Sequence, residues 1–384
     1  MFDRLRATPK RSFFLFGPRA TGKSTWLKIF LPDALRIDLL HSEMYFRLTA
    51  APQELRSIVE AQSRTRWIVI DEVQRVPALL DEVHSLIEDR GHRFALTGSS
   101  ARKLKRGQAN LLAGRAAVRQ MFPLVHAEIG DEFSLDDVLR YGCLPGVLAD
   151  SVSRVDVLEA YAGTYLREEI TAEAVTRNVQ AYSRFLQIAA LANAQVTNLS
   201  GIARDAGVPR ATVSTYFEIL TDTLLGRFLP AWTARARIKE VAHPKFYFFD
   251  TGVLRAIQGR LRDRPTSDER GHLFETYMLH ELLAHREYSG CGGEWFYWRT
   301  VGGVEVDFVW RRSRETVAIE CKSSDRWRNE DDAGMLALRD GVPVTASYGV
   351  YLGAHRLKRP WGIVFPLAEF FAELNAGRIV AHGD

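Results

Sequence analysis

The junction between the apolar run Phe13-Phe14-Leu15-Phe16 and the segment Gly17-Pro18-Arg19-Ala20-Thr21-Gly22-Lys23-Ser24-Thr25 constrains this chain more than any other stretch. The second segment has the spacing GxxxxGK[ST] of a phosphate-binding loop. A buried strand ending in such a loop points successive backbone N–H groups, and the start of the next helix, at one spot, where Lys23 adds a mobile cation. Gly17 and Gly22 allow the turn and the close backbone approach that side chains would block. Ser24 offers its hydroxyl to Mg²⁺, with Thr21 and Thr25 in support. The implied ligand is a nucleoside triphosphate.

A second apolar strand, Trp67-Ile68-Val69-Ile70, ends in the carboxylate pair Asp71-Glu72, a Walker B pattern. In that reading Asp71 holds Mg²⁺ directly or through water, and Glu72 polarises the attacking water. A solvated acidic turn is the alternative for this segment alone, but its position after the loop favours hydrolysis. The strand Arg93-Phe94-Ala95-Leu96 runs into Thr97-Gly98-Ser99-Ser100, so Thr97 or Ser99 is a candidate sensor of the nucleotide; Ser99 and Ser100 equally suit a helix cap. Arg115, after Leu111-Leu112-Ala113-Gly114, is either an arginine finger reaching a neighbouring subunit or an ordinary helix-terminal arginine.

With these segments assembled, the first part of the chain resembles an AAA-superfamily ATPase. More specifically it resembles the prokaryotic group in which such a core is joined to a carboxy-terminal domain of unknown function. Leu96-Thr97-Gly98-Ser99-Ser100-Ala101-Arg102 and Ala113-Gly114-Arg115 carry that likeness. The resemblance implies an ASCE-type core using ATP and Mg²⁺, assembly into a homo-oligomer, and Arg115 as the position that acts in trans.

The whole chain has 384 residues, 46% of them hydrophobic, enough for two or three packed domains. No apolar run reaches membrane-spanning length and the amino terminus enters the first strand early, so a cytoplasmic location with no membrane partner is expected. Cys143, Cys291 and Cys321 lack zinc or disulfide spacing. A net charge of +4 conceals basic clusters at 102–106, 235–239 and 311–314, which suit phosphate neutralisation along a nucleic acid but are also common on solvated loops.

After Phe122-Pro123-Leu124 the apolar spacing becomes helical, through Tyr141 and from Val155 to Ile170. Leu199 to Val208 followed by Pro209 to Leu220 reads as a helix-turn-helix with Gly207 at the turn and Val208 packed beneath it. Leu224 to Pro230 suits a strand entering a wing. The segment resembles winged-helix domains, with Arg210, Thr212, Ser214 and Thr215 facing outward on a recognition helix. Such domains also serve as protein-interaction platforms. Short outward side chains favour recognition of DNA backbone or shape over base sequence.

Near the carboxy terminus, Glu305-Val306-Asp307-Phe308-Val309-Trp310 and Val317-Ala318-Ile319-Glu320-Cys321-Lys322 read as neighbouring strands. Asp307 and Glu320 can share a divalent cation, Lys322 emerges on the face of Glu320, and Glu275 on the preceding helix, 271–283, is an additional candidate ligand. This order resembles the restriction-endonuclease-like superfamily with its Asp…Glu-x-Lys signature. In such folds the cluster is either a nuclease site or is kept as structural ion pairs in proteins that bind branched DNA without cutting. Trp295, Tyr297 and Trp298 suit base stacking or a packed core.

The sequence therefore predicts an α/β chain: a P-loop NTPase core (1–127), a helical connector (128–180), a winged helix (181–255) and a restriction-endonuclease-like domain (256–384). The preferred function is a Mg²⁺-dependent ATPase coupled to binding, translocation or remodelling of DNA, with branched DNA the candidate substrate. The alternatives are an ATP-regulated nuclease and a nucleotide-dependent protein-binding switch.

Overall fold

A computed structural model describes residues 2–7, 9–99, 112, 114–165, 178–233 and 240–383. They form two compact units, Met1–Leu124 with Ile219–Leu225, and Val125–Glu218 with Gly226–Asp384. Among the described residues no helix is long and apolar enough to cross a membrane.

The first unit is built on a parallel sheet of β1 (Phe13–Phe16), β2 (Leu35–Asp38), β3 (Trp67–Asp71), β4 (Arg93–Gly98) and β5 (Ala117–Gln120). Their order is β2-β3-β4-β1-β5, and every pairing is parallel. The apolar runs of the central strands follow from burial on both faces. Phe13 and Leu15 pack with Val69, Ala95, Trp26 and Leu27 on one side. Phe14 and Phe16 pack with Ile68, Ile70, Leu96 and Val83 on the other. Helix α1 (Lys23–Phe30) starts where β1 and the glycine loop end. β5 joins the edge in register with β1, Phe13 opposite Ala117. It is half exposed and carries no apolar run, so periodicity alone does not reveal it.

The second unit begins with short helices and continues into α2 (Val179–Leu191), α3 (Leu199–Ala206) and α4 (Arg210–Asp222). Asn178 and Asn198 cap α2 and α3 by accepting from Ala181 N–H and Gly201 N–H. Gly207 ends α3 with a left-handed φ of 65°. Tyr182, Phe185, Tyr216 and Phe217 interlock edge to face beneath this turn. A two-stranded antiparallel ribbon follows, β6 (Gly226–Leu229) with β7 (Lys245–Phe248). Asn193 ties the ribbon to the long helix α5 (Ser267–Ser289): its carbonyl accepts from Phe248 N–H at 2.9 Å and its amide donates to Thr276 at 2.8 Å.

The rest of the unit is a mixed six-stranded sheet of β8 (Glu294–Arg299), β9 (Glu305–Arg312), β10 (Glu315–Cys321), β11 (Ala346–Tyr351), β12 (Leu357–Arg359) and β13 (Gly362–Pro366). The order is β12-β13-β11-β10-β9-β8, parallel at β10–β11 and β11–β13 and antiparallel elsewhere. Trp298, Val306, Val309, Ala318, Met335 and Trp361 fill its core. Trp295, Tyr297 and Trp298 are all buried, which removes base stacking as their role. Cys143, Cys291 and Cys321 are free and buried.

Candidate functional site

Four chain segments meet at the carboxyl ends of β1, β3 and β4. The loop that follows β1 approaches its neighbours so closely that a Cβ on Gly17 would lie 2.4 Å from the Met121 carbonyl oxygen. Gly22 takes a left-handed φ of 87° as the residue before α1, the geometry for which glycine is suited. Ala20 is also left-handed, at φ 63°. Thr21 is fully buried and its hydroxyl donates to Pro18 O at 2.9 Å, bracing the loop. Arg4 donates to Thr21 O at 3.2 Å and to Phe122 O at 2.6 Å from the opposite side. Pro18 is buried, Arg19 half-buried, and Thr25 is exposed on the first turn of α1.

Lys23 is buried, with its ammonium donating to Gly17 O at 2.7 Å and Pro18 O at 2.9 Å. A terminal ammonium on a four-carbon stem, folded onto the carbonyls of its own loop, is a group chemically suited to phosphate oxygens. Ser24 Oγ donates to Asp71 Oδ2 at 2.7 Å, bringing a hydroxyl and a carboxylate together. These are the hard oxygen donors that suit Mg²⁺. Thr97 donates to the other oxygen of Asp71 and accepts from Glu72 N–H at 3.1 Å. The end of β4 thus orients both acidic residues at the end of β3.

Glu72 has a left-handed φ of 60°. Its carboxylate accepts from the buried Gln74 amide, which also donates to Ser99 Oγ at 3.2 Å. Sequence reasoning missed Gln74; its position two residues beyond Glu72 is the signal that was present. Gly98 leaves room for this side chain, since a Cβ there would lie 2.6 Å from Gln74 Oε1. Arg115 lies away from this group and forms an ion pair with Glu88 at the end of the helix Leu79–Glu88. Arg119 is exposed on β5. Ser100 to Leu111 and Ala113 lie outside the described residues, as do the basic cluster at 235–239 and the end of the helix expected to reach Ile170.

A second polar cluster belongs to the second unit. One carboxylate oxygen from each of Glu275 on α5, and Glu305 and Asp307 on β9, lies within 4.8 Å of the others. Glu320 on β10 is adjacent: its carboxylate accepts from Asp307 N–H at 3.3 Å, and Asp307 accepts from Cys321 N–H at 2.8 Å. Lys322 donates to Glu320 at 2.7 Å, so this lysine is ion-paired. Burial pushes the Asp307 carboxyl up to about 7, with Glu275 adding to it, and burial with the nearby Asp307 pushes Glu320 up to about 8.

Four residues of this cluster, Glu305, Lys245, Tyr247 and Arg299, escaped sequence reasoning. Lys245 on β7 contacts Glu275 Oε1 at 2.8 Å and also Glu305 Oε1, Tyr247 donates to the same Glu275 oxygen, and Arg299 pairs with Glu305 Oε2 at 3.0 Å. Burial opposes the charge on Lys245, but Glu275 and Glu305 outweigh it and raise its pKa. A divalent cation bound by Glu275, Glu305 and Asp307 would compete with Lys245 for the carboxylates of Glu275 and Glu305.

On α4, Arg210 is exposed and Thr212, Ser214 and Thr215 are half-exposed. The Ser214 and Thr215 hydroxyls turn back to Arg210 O at 3.3 Å and Ala211 O at 3.2 Å. In the 311–314 cluster, Arg311 lies over the Trp232 ring and Arg312 donates to Cys291 O at 2.8 Å.

Comparison with known proteins divides the chain similarly. Residues 9–130 match the family model described as an AAA domain. Residues 132–264 match a domain of unknown function, DUF8612, and residues 270–370 another, DUF4143. The chain therefore carries a P-loop ATPase-like AAA domain followed by a carboxy-terminal DUF4143 domain. Uncharacterized proteins of Mycobacterium tuberculosis and Mycobacterium bovis are each 26% identical over 325 residues, covering 82% of this chain and 70% of theirs. An uncharacterized protein of Haemophilus influenzae is 23% identical over 365 residues, covering 87% of this chain and 88% of its own. The ORC1 protein of Aeropyrum pernix, solved in complex with DNA, aligns at 12% identity over 67% of this chain and 87% of that one. The TM-score of that alignment is 0.27.

Proposed function

We propose that this chain is a Mg²⁺-dependent ATPase that couples ATP hydrolysis to DNA binding and remodelling. The observation that carries the ATPase reading is the 2.7 Å hydrogen bond between Ser24 and Asp71, beside Lys23 and Glu72 at the end of a parallel sheet. In this reading the 17–25 loop and Lys23 hold the phosphates, and Ser24 and Asp71 hold Mg²⁺. The ion supplies charge neutralisation for phosphoryl transfer. Glu72 takes the proton of the attacking water, and Thr97 and Ser99 fix the position of the acidic pair. Arg115 leaves Glu88 to complete the nucleotide site of a second copy in a homo-oligomer.

The DNA role rests on the helix, turn and helix of α3 and α4 with the ribbon β6–β7, read as a winged helix that contacts backbone or shape through Arg210, Thr212 and Ser214. A branched duplex would suit a restriction-endonuclease-like carboxy-terminal fold that binds without cutting. Two rival readings each have an observation behind them. The inward-turned hydroxyls of Ser214 and Thr215 favour a nucleotide-dependent protein-binding switch. The carboxylates of Glu275, Asp307 and Glu320 beside Lys322 favour an ATP-regulated nuclease, although Lys245 opposes a metal there.

Steady-state ATP hydrolysis by wild type and Glu72→Gln, alone and with single-stranded, duplex or four-way-junction DNA, separates the three. Turnover that depends on Glu72 and rises with one DNA form supports the proposal and names the substrate. Turnover indifferent to every DNA transfers the case to the switch. Cleavage that survives Glu72→Gln and vanishes in Asp307→Ala transfers it to the nuclease.

A further inference from the structure

The carboxylate cluster of the second unit contains a cation of its own. Lys245 projects from β7 with its side chain only 3% exposed, and its ammonium touches Glu275 Oε1 and Glu305 Oε1 together. The same two residues, with Asp307, each offer one carboxylate oxygen to the group whose spacing suits a cation. Further acceptors are engaged from other directions: Arg299 takes the second Glu305 oxygen, Lys322 takes one Glu320 oxygen, and Cys321 N–H takes one Asp307 oxygen. Tyr247, also on β7, donates to Glu275, and the Lys245 ammonium lies 5.3 Å from the Tyr297 ring centroid. A divalent ion placed between Glu275 and Glu305 would meet this ammonium in a buried setting where like charges repel strongly. A buried lysine expelled from its partners would lose the interactions that compensate its desolvation.

We propose that Lys245 is the resident cation of the cluster, filling the position a divalent ion would take, so that the wild-type chain takes up no metal there. The carboxylates then serve as an ionic latch: through Lys245 and Tyr247 they fasten the ribbon strand β7 to α5 and to β9 of the mixed sheet. The ribbon and sheet consequently move as one body, in keeping with their place in a single compact unit. This inference concerns the second unit alone and stands or falls independently of ATP hydrolysis.

The test is Mn²⁺ binding by the full chain without nucleotide, read from the electron paramagnetic resonance of free Mn²⁺, together with thermal melting in EDTA. Wild type and Asp307→Asn should give the same Mn²⁺ isotherm. Lys245→Met should gain at least tenfold in Mn²⁺ affinity, and the gain should disappear when Asp307→Asn is added. A stoichiometric Mn²⁺ site in wild type that is lost in Asp307→Asn overturns the proposal, as does a folded Lys245→Met with no gain. Glu305→Gln decides the matter even if Lys245→Met does not fold. A resident lysine predicts a lower melting temperature in EDTA, because its partner is removed. An empty metal site predicts a higher one, because a repelling carboxylate is removed.

Discussion

Ser24 and Asp71, 47 residues apart in the chain, are joined hydroxyl to carboxylate at 2.7 Å. The contact connects the first turn of α1 to the end of β3, so the two residues that would share Mg²⁺ are brought together before any ion arrives. Preorganisation of this kind lowers the reorganisation required at the transition state. Ser24→Ala and Asp71→Asn should each lower ATP turnover by roughly a hundredfold and raise the Mg²⁺ concentration needed for half-maximal rate. A Mg²⁺ titration of the steady-state rate checks both.

Lys23 and Glu72 should separate binding from chemistry. Glu72→Gln should retain a fluorescent ATP analogue while its kcat falls by roughly 10² to 10⁴. Lys23→Ala should lose the analogue altogether, because the loop then offers no side-chain ammonium to the phosphates. Equilibrium fluorescence titration beside single-turnover hydrolysis distinguishes the two; equal loss of analogue binding in both variants would refute the division of roles.

Gln74 donates to both Glu72 and Ser99, and in the proposed reaction it would act through Glu72. Gln74→Ala should lower kcat about tenfold while KM for ATP stays within about twofold. A change confined to KM would show that the amide serves nucleotide binding instead.

Arg115 is paired with Glu88 of its own chain, yet the proposed role requires it to act on another copy. An inactive Arg115→Ala mixed with an inactive Lys23→Ala should recover turnover, since mixed assemblies contain sites with both an intact loop and an intact neighbouring arginine. No recovery at any mixing ratio would leave Arg115 as a surface ion pair, an arrangement of little energetic weight.

Glu281 supplies a pH dependence of stability. It is buried on α5 and accepts from His126 N–H at 2.6 Å. Burial raises its carboxyl from the ordinary 4.5 to about 8; Glu128 adds to the rise, while Tyr277 and His126 N–H oppose it. The folded chain therefore keeps a proton that the unfolded chain releases above 4.5. The stability contributed by the protonated form is present below 4.5 and declines as pH rises through about 8, by at most about 1.4 kcal/mol per pH unit. Glu281→Gln should flatten that slope in chemical denaturation curves taken between these limits; an unchanged slope would assign the dependence to another group.

The parallel core was legible in the sequence because each of its central strands is a contiguous apolar run ending in a chemical motif. Phe13 to Thr25 and Trp67 to Glu72 each place a strand and its polar terminus within a dozen or so residues. β5 was not legible, because Ala117 to Gln120 lies at an edge, half exposed, and has no apolar run. The spacing of Glu320 and Lys322 placed the two side by side at the end of β10, where they pair, but it did not choose between pairing and catalysis. Lys245 could not be anticipated in this way: it meets Glu305 across 60 residues of chain through a ribbon that only tertiary packing brings there. Nor does local pattern say that Trp295, Tyr297 and Trp298 all become core. Strand alternation would bury Trp295 and Tyr297 and expose Trp298, but a register shift between Phe296 and Trp298 leaves Trp298 buried as well.

The left-handed backbone of Glu72 has an evolutionary consequence. A side chain other than glycine pays roughly 1 to 2 kcal/mol to adopt that conformation, so Glu72→Gly should melt at a higher temperature than wild type while losing the carboxylate. Selection for foldability alone would drift this position toward glycine. Persistence of glutamate among descendants of this chain would therefore record selection for what the acid does, and lineages that abandon hydrolysis should be the first to lose it.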